Sequence, residues 1–296
     1  MKILDLSVVI PTLGGPQLRE TLMYLNSGEI IPAEIIIAIP AAEVNRVSEY
    51  KEIYANISVL QTNCRGQVAQ RAEGFLAARF PFVLQIDDDV HVSHKCILEL
   101  LICLQTIGHN AVVGPVLVNQ STQESLSNFP VGIKRKIADL YLSTVWELPR
   151  GIVRMGKYSA LGMAISVDPK YCDGKIKATD WLPGGCVMGY REKLICDNFY
   201  PWSGKAYAED LLHSFYRTKN KIQHFVVLSA TAAIEKPQPI NSFEFYKMFK
   251  TRIEVGKMLG ASKYKLYFAL IFDQILRSFL KMYRIGWSYI VTCFLR

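Results

Sequence analysis

The chain has 296 residues, half of them apolar, and a formal net charge of +8, enough for one large core or a core with a smaller appendage. Ten Lys and Arg against three Asp and Glu fall between Asn241 and Arg296, so the surplus sits at one end; that excludes a globally basic nucleic-acid binder and points to an anionic surface met by that end. The seven cysteines form neither a C-x-x-C pair nor a zinc-spaced cluster with histidine, and are read as reduced thiols in a cytosolic setting.

MKILDLSVVIP is not expected to act as a signal peptide, because Asp5 interrupts a short apolar run. Leu6 to Ile10 predicts a first buried strand closed by Pro11. Thr12 to Gly15 reads as a turn, and Pro16 suits the first position of a helix carrying Leu18, Leu22 and Leu25 on one face. Glu34 to Ile39 and Ile57 to Gln61 predict a second and a third strand, continuous and apolar as inside a parallel sheet. A helix over Gly66 to Arg79 leads to a fourth strand, Phe82 to Ile86. Ser93 is placed to cap a helix over His94 to Ile107, and Ala111 to Val118 is again strand-like. Asn119 to Asp180 shows no clear order. Trp181 to Tyr190 opens on a Pro-Gly-Gly turn and runs into a strand; a helix over Ala208 to Asn220 and a strand over Ile222 to Ala233 follow. Lys236-Pro237-Gln238-Pro239 breaks the pattern, so two domains are expected, 1–235 and 236–296. The alternation predicts a doubly wound α/β sheet.

The stretch FVLQIDDDV organises the chemistry. An apolar strand ends in Asp87, Asp88 and Asp89, and in open α/β sheets ligands gather at the carboxyl ends of strands. Three adjacent carboxylates repel one another, and hard oxygen donors suit Mg²⁺ or Mn²⁺. The plainer alternative is a hydrated acidic turn. His91 and His94 flank the motif and read as surface residues.

Taken in order, VVIPT, the N-x-x-G of Asn63 to Gly66, RAEG at Arg71 to Gly74, IDDDV, LPGG and the Glu209-Asp210 pair resemble family-2 glycosyltransferases of the GT-A fold, over about Leu6 to Glu235. That resemblance implies a Rossmann-like, mostly parallel central sheet with flanking helices, followed here by C-terminal amphipathic helices. It implies a nucleotide-diphosphate sugar donor, Mn²⁺ or Mg²⁺, and single-displacement inversion. By the same resemblance Asp89 holds the metal, and Asp87 approaches the ribose with Asp88 beside it. Pro11 and Thr12 line the base pocket. Arg71 contacts the nucleotide, although a helix-surface salt bridge with Glu73 or a neighbouring acid reads equally well. Asp210 is the general base with Glu209 next to it, and Trp181, Gly184 and Gly185 belong to the acceptor loop; a buried core role for Trp181 stays open. The sequence departs from the pattern in having no acid after the second strand until Glu43, and Glu235 and Lys236 where relatives carry a histidine after the last strand.

At the C-terminus Phe272, Leu276, Phe279, Tyr283, Trp287, Ile290 and Phe294 form one stripe, with Arg277, Lys281 and Arg284 on another. No uncharged run reaches the roughly 18–20 residues of a spanning helix, so a helix lying on anionic lipid is expected, against the alternatives of a helix docked on the core or a dimer contact. The expected protein is a peripheral glycosyltransferase at the cytoplasmic face of a membrane, acting on a glycan or lipid-linked acceptor and not on nucleic acid. A non-catalytic nucleotide-sugar-binding scaffold is the main alternative. A nucleotidyltransferase is disfavoured by the lack of a Gly-rich basic loop near the first strand.

Overall fold

The computed structural model describes residues 2–202, 206–235 and 242–282. In chain order its elements are β1 (Lys2–Pro11), α1 (Leu18–Ser27), β2 (Ile30–Pro40), α2 (Tyr50–Ile53), β3 (Ile57–Thr62), α3 (Gln67–Ala77), β4 (Phe82–Ile86), β5 (Val90–Val92), α4 (Cys96–Ile107), β6 (Ala111–Asn119), α5 (Gly132–Val145), β7 (Ile176–Thr179), β8 (Cys186–Tyr190), α6 (Glu209–Lys219), β9 (Gln223–Ile234), α7 (Ser242–Met258) and α8 (Lys263–Met282). They divide into two compact units. The first comprises residues 1–124 and 173–237, and the second residues 125–172 together with the chain from 238 onward.

The first unit is built on one nine-stranded sheet in the order β3-β2-β1-β4-β8-β6-β9-β5, with β7 pairing beside β9. The ladders joining β1, β2, β3 and β4, and that between β6 and β9, are parallel; β8, β5 and β7 join by antiparallel ladders. Alternation along β1 sends Leu6, Val8 and Ile10 into a core shared with Leu18, Leu22 and Leu25 of α1 and Leu100 and Leu104 of α4. Val9 faces the other way, to Phe75 and Ala78 on and just past α3. Both faces are thus covered, which is why these strands read as unbroken apolar runs. Helix α3 lies close to β1: a Cβ on Gly74 would stand 2.4 Å from Val9 Cγ1, so the glycine of RAEG is a packing requirement.

The chain runs outward from β1 to β2 and β3, then returns through α3 to β4 on the opposite side of β1. The order reverses between β1 and β4, the place where an open α/β sheet forms its ligand crevice. Pro11-Thr12 and Asp87-Asp88-Asp89 sit at the carboxyl ends of those two strands.

Several details depart from the sequence reading. Helix α1 starts at Leu18, after a turn in which Leu18 N donates to the Gly15 carbonyl. Helix α4 starts at Cys96, and Ser93 serves through its backbone carbonyl, not its hydroxyl. Strand β5, unanticipated, pairs His91 with Ala233, and His91 is 4% exposed, stacked on Tyr24 with centroids 4.8 Å apart, so it is an interior residue. The stretch without clear order holds α5 and β7.

The second unit has its own core of Leu142, Val145, Trp146, Leu148, Leu161, Ile253, Leu266, Ala269 and Leu270. Tyr141 Oη donates to Asp273 Oδ1 at 2.5 Å and accepts from Trp146 Nε1 at 3.0 Å, pinning α5 to α8. Buried Arg154 pairs with Asp139 and lies over the Phe129 ring at 4.6 Å. The expected tail positions Tyr283, Trp287, Ile290 and Phe294, with Arg284, lie outside the described residues.

Candidate active site

The acidic turn after β4 is anchored on three sides. Asp88 Oδ2 accepts a hydrogen bond from the Thr12 hydroxyl, and the Asp88 carbonyl accepts from Thr21 Oγ1 at 2.9 Å, which fixes the turn to the loop after β1. Burial pushes the Asp88 carboxyl up from its ordinary value; the Thr12 bond offsets this, and the neighbouring charge of Asp87 adds to it. Gln70 spans the same region, donating to the carbonyls of Thr12 and Ala38 at 2.8 Å each. Pro11 and Thr12 are both buried at the base of this loop.

Asp87 turns the other way. Its Oδ1 accepts from Gln67 Nε2 at 2.8 Å and from Arg71 Nη2 at 3.3 Å. Arg71, only 2% exposed, also donates from Nη1 to both oxygens of Glu209 at 3.0 Å. Burial alone would draw its pKa down, but Glu209 and Asp87 reverse this and hold it above its ordinary value. The surface salt bridge with Glu73 does not form: Glu73 instead accepts from the Asn63 backbone. Arg71 is therefore a buried clamp joining the end of β4 to the start of α6, and its partner Glu209 lies 138 residues further along the chain.

Glu209 and Asp210 are the first residues of α6, where the helix N-terminus favours anionic side chains. The preceding residue, Ala208, holds a left-handed conformation at φ 57°. A non-glycine residue there stores strain of order 1 kcal/mol or more, a feature that clusters at functional sites. The LPGG turn is bonded into the same place. The Gly184 carbonyl accepts from Gln85 Nε2 at 2.6 Å, and the Gly185 carbonyl accepts from Asp87 N at 2.9 Å. A Cβ on Gly184 would lie 2.4 Å from Glu209 Oε1, so only glycine leaves room for that carboxylate. Trp181, expected either to stack on an acceptor or to sit in the core, is buried, with 8% of its surface exposed.

The fold therefore brings Thr12, Asp87, Asp88, Arg71, Gly184, Gly185, Glu209 and Asp210 to one crevice, with Asp89 exposed at its lip. Among the described residues no group of three or more His, Cys, Asp or Glu forms a ready-made metal cage. A Mg²⁺ or Mn²⁺ ion that draws most of its oxygens from a diphosphate and water needs only one or two carboxylates, and the exposed Asp89 fits that demand.

Beneath the crevice lies a polar layer that sequence reasoning missed. Arg217 Nη2 donates to Gln85 Oε1 at 3.1 Å, so Gln85 links a buried guanidinium to the Gly184 carbonyl. Burial and the nearby Arg71 push Arg217 down to about 9, with Glu209 pulling the other way. His213 and His224 are buried beside it and held neutral: burial and Arg217 drive His213 well below its ordinary value and His224 down to about 3. Two signals pointed here. Gln67, Gln70, Arg71 and Gly74 fall on one helical stripe, and Gln85 is a polar residue inside an otherwise apolar strand.

No protein-family model matches the chain, and no curated protein does. Solved structures do. GalNAc-T7, solved with UDP, GalNAc and Mn²⁺, aligns over 85% of this chain and 47% of its own, with TM-score 0.58 at 14% identity. Residues 1–349 of S. aureus TarS align over 100% of this chain and 76% of theirs, with TM-score 0.50 at 16% identity. The chain thus spans about half the length of the GalNAc-T7 chain it matches. At such identities the likeness lies in the fold, and that fold is GT-A: a mixed α/β sheet flanked by helices, with its crevice where the strand order reverses.

Proposed function

We propose that this protein is a glycosyltransferase, moving a sugar from a nucleoside-diphosphate donor to a hydroxyl of a glycan or lipid-linked acceptor with inversion at the anomeric carbon. One observation carries the reading: Arg71, buried under the switch point, ties the Asp87 end of β4 to the Glu209-Asp210 start of α6. Transfer needs donor-binding acids and an acceptor base held on opposite sides of one sugar, and this clamp fixes their separation.

In this reading the loop after β1, with Pro11, Thr12 and Asp88, borders the nucleoside, and Asp87 faces the ribose. Asp89 would hold Mg²⁺ or Mn²⁺, which when bound neutralises charge building on the departing diphosphate. Asp210 accepts the proton of the attacking hydroxyl as the new glycosidic bond forms and the anomeric bond to diphosphate breaks. Glu209 is engaged by Arg71 and serves as the brace that sets α6 in place. Gly184 and Gly185 carry the acceptor-side turn. The neighbours support this choice by what was bound to one of them: UDP, GalNAc and Mn²⁺ in the GalNAc-T7 structure.

The test has two parts. A thermal-shift screen of nucleoside diphosphates with and without Mn²⁺ names the base and registers the metal. Sugar transfer is then compared between the parent, Asp89→Ala and Asp210→Asn. Loss of a general base lowers kcat by about 10²–10⁴-fold. Equal turnover in all three proteins would remove the site assignment; a thermal shift with no turnover under any donor would leave a binding scaffold.

A further inference from the structure

The charge of this protein is divided between its units. The second carries seventeen Lys and Arg against six Asp and Glu, the first seventeen against twenty. Within the second unit two helices turn apolar faces outward. On α5, Ile133, Ile137 and Leu140, spaced by four and three, are 44–69% exposed, while Ala138, Leu142 and Val145 point inward. On α8, Tyr264, Phe268, Ile271 and Ile275 are 49–87% exposed, while Leu266, Ala269 and Leu270 point inward. These stripes adjoin. The Tyr141 ring stacks on Phe272 at 6.4 Å, and Phe272 stacks on Phe268 at 5.7 Å. Lys134 and Lys136 alternate with the α5 stripe, and Lys263 and Lys265 open α8.

Contiguous outward apolar stripes rimmed by charged residues mark a surface built to meet a partner. A second copy of this chain is disfavoured as the occupant, since it would bring another strongly cationic unit against the first. None of the described helices is long and apolar enough to cross a membrane. Aromatic and branched aliphatic side chains on one face, with lysines around them, match the boundary of an anionic bilayer: the apolar groups enter the acyl edge while ammonium groups meet headgroups.

We infer that the outward face of α5 and α8 is an interfacial site for an anionic lipid bilayer. To the membrane contact expected at the chain's end this adds a two-helix face that includes a segment from mid-sequence. It rests on the second unit alone, not on the transferase reading, so either can fail without the other. Bound there, the enzyme would be a peripheral protein.

The probe is co-sedimentation of the full chain with phosphatidylcholine vesicles, with or without about 30% phosphatidylglycerol. The parent should pellet with the anionic vesicles only, and less so as salt rises. Ile133→Ser/Ile137→Ser/Leu140→Ser and Phe268→Ser/Ile271→Ser/Ile275→Ser change exposed positions and should keep the thermal midpoint. Each should lower the vesicle partition coefficient by about tenfold or more. Lys134→Glu/Lys136→Glu should weaken binding and flatten its salt dependence. Parent-like binding by the serine variants, equal binding to neutral vesicles, or no pelleting would overturn the inference. So would a concentration-dependent dimer, abolished by the serine variants, in a protein that ignores vesicles; that result assigns the face to a second copy.

Discussion

Arg71 in the first unit and Arg154 in the second are both buried, and the two are used differently. In the acidic first unit Arg71 divides its donors between two carboxylates from distant elements, and those acids raise its pKa. In the basic second unit Arg154 pairs with Asp139, 15 residues away in sequence, and lies over Phe129; burial and the nearby Arg135 bring its pKa down to about 10. The first arrangement fixes the distance between two acidic groups in a crevice. The second pins a loop to its neighbouring helix. A buried cation thus marks chemistry only when it joins charged groups that packing alone would not bring together.

Arg71→Met puts that distinction under the greatest load. It leaves Asp87 and Glu209 facing one another without a cation, and breaking such a pair costs about 3–5 kcal/mol. Turnover per folded molecule should fall by about 10²-fold or more, as expected when reacting groups shift by an ångström. Arg71→Lys should restore stability better than turnover, because an ammonium cannot bridge both acids in the fork geometry. Denaturant unfolding combined with single-turnover transfer separates the effects; a variant with parent-like kcat would show that the clamp is only structural.

Arg154→Met is the counterpart. It should remove roughly 2–3 kcal/mol from the second unit and leave turnover per folded molecule unchanged. A loss of kcat at intact stability would break the comparison, giving both arginines the same use.

Gly184→Ala has a smaller effect, aimed at Glu209 from the other side. The added methyl would meet Glu209 Oε1, which Arg71 holds and which therefore cannot swing freely away. We expect a loss of about tenfold in kcat with a modest fall in midpoint. Gly66→Ala, at a position with nothing within 4 Å of an added Cβ, is the matched control.

The sequence exposed the first unit far better than the second, for physical reasons. Strands covered on both faces, such as Val8 to Ile10 and Ile35 to Ile39, leave continuous apolar runs that can be read directly. Helix α5 hides because its regular apolar stripe points outward, its N-terminus lacks a side-chain cap, and Gly132 opens it at φ 62°. Its partner α8 is reached through pairs such as Tyr141 and Asp273, 132 residues apart, which no local pattern announces. In the crevice the acids themselves were visible. Their connection through Arg71 was not, since spacing says nothing about a side chain bridging 138 residues. His91 was misplaced because a three-residue strand is too short to show its alternation, and Tyr24 covers it from another element.

Protonation offers the finest division between the units, because all five histidines lie in the first. His224 is held near 3 by burial and by Arg217, against 6.5 in an open chain. The folded state excludes a proton that the unfolded state accepts, so the stabilising effect is complete above pH 6.5 and is lost as pH falls toward 3. Each such group steepens the loss by about 1.4 kcal/mol per pH unit, and His213, buried beside the same arginine, adds to it in the same direction. The first unit should therefore loosen before the second on acidification. Hydrogen exchange followed by peptide at pH 7 and pH 5 would separate them: β9 and α6 lose protection first, while the Leu142–Trp146 and Leu266–Leu270 segments hold. His224→Gln should flatten the acid limb without altering stability at pH 8. Simultaneous loss of protection in both units, unchanged by that substitution, would mean that the buried histidines do not govern acid unfolding and that the units unfold as one.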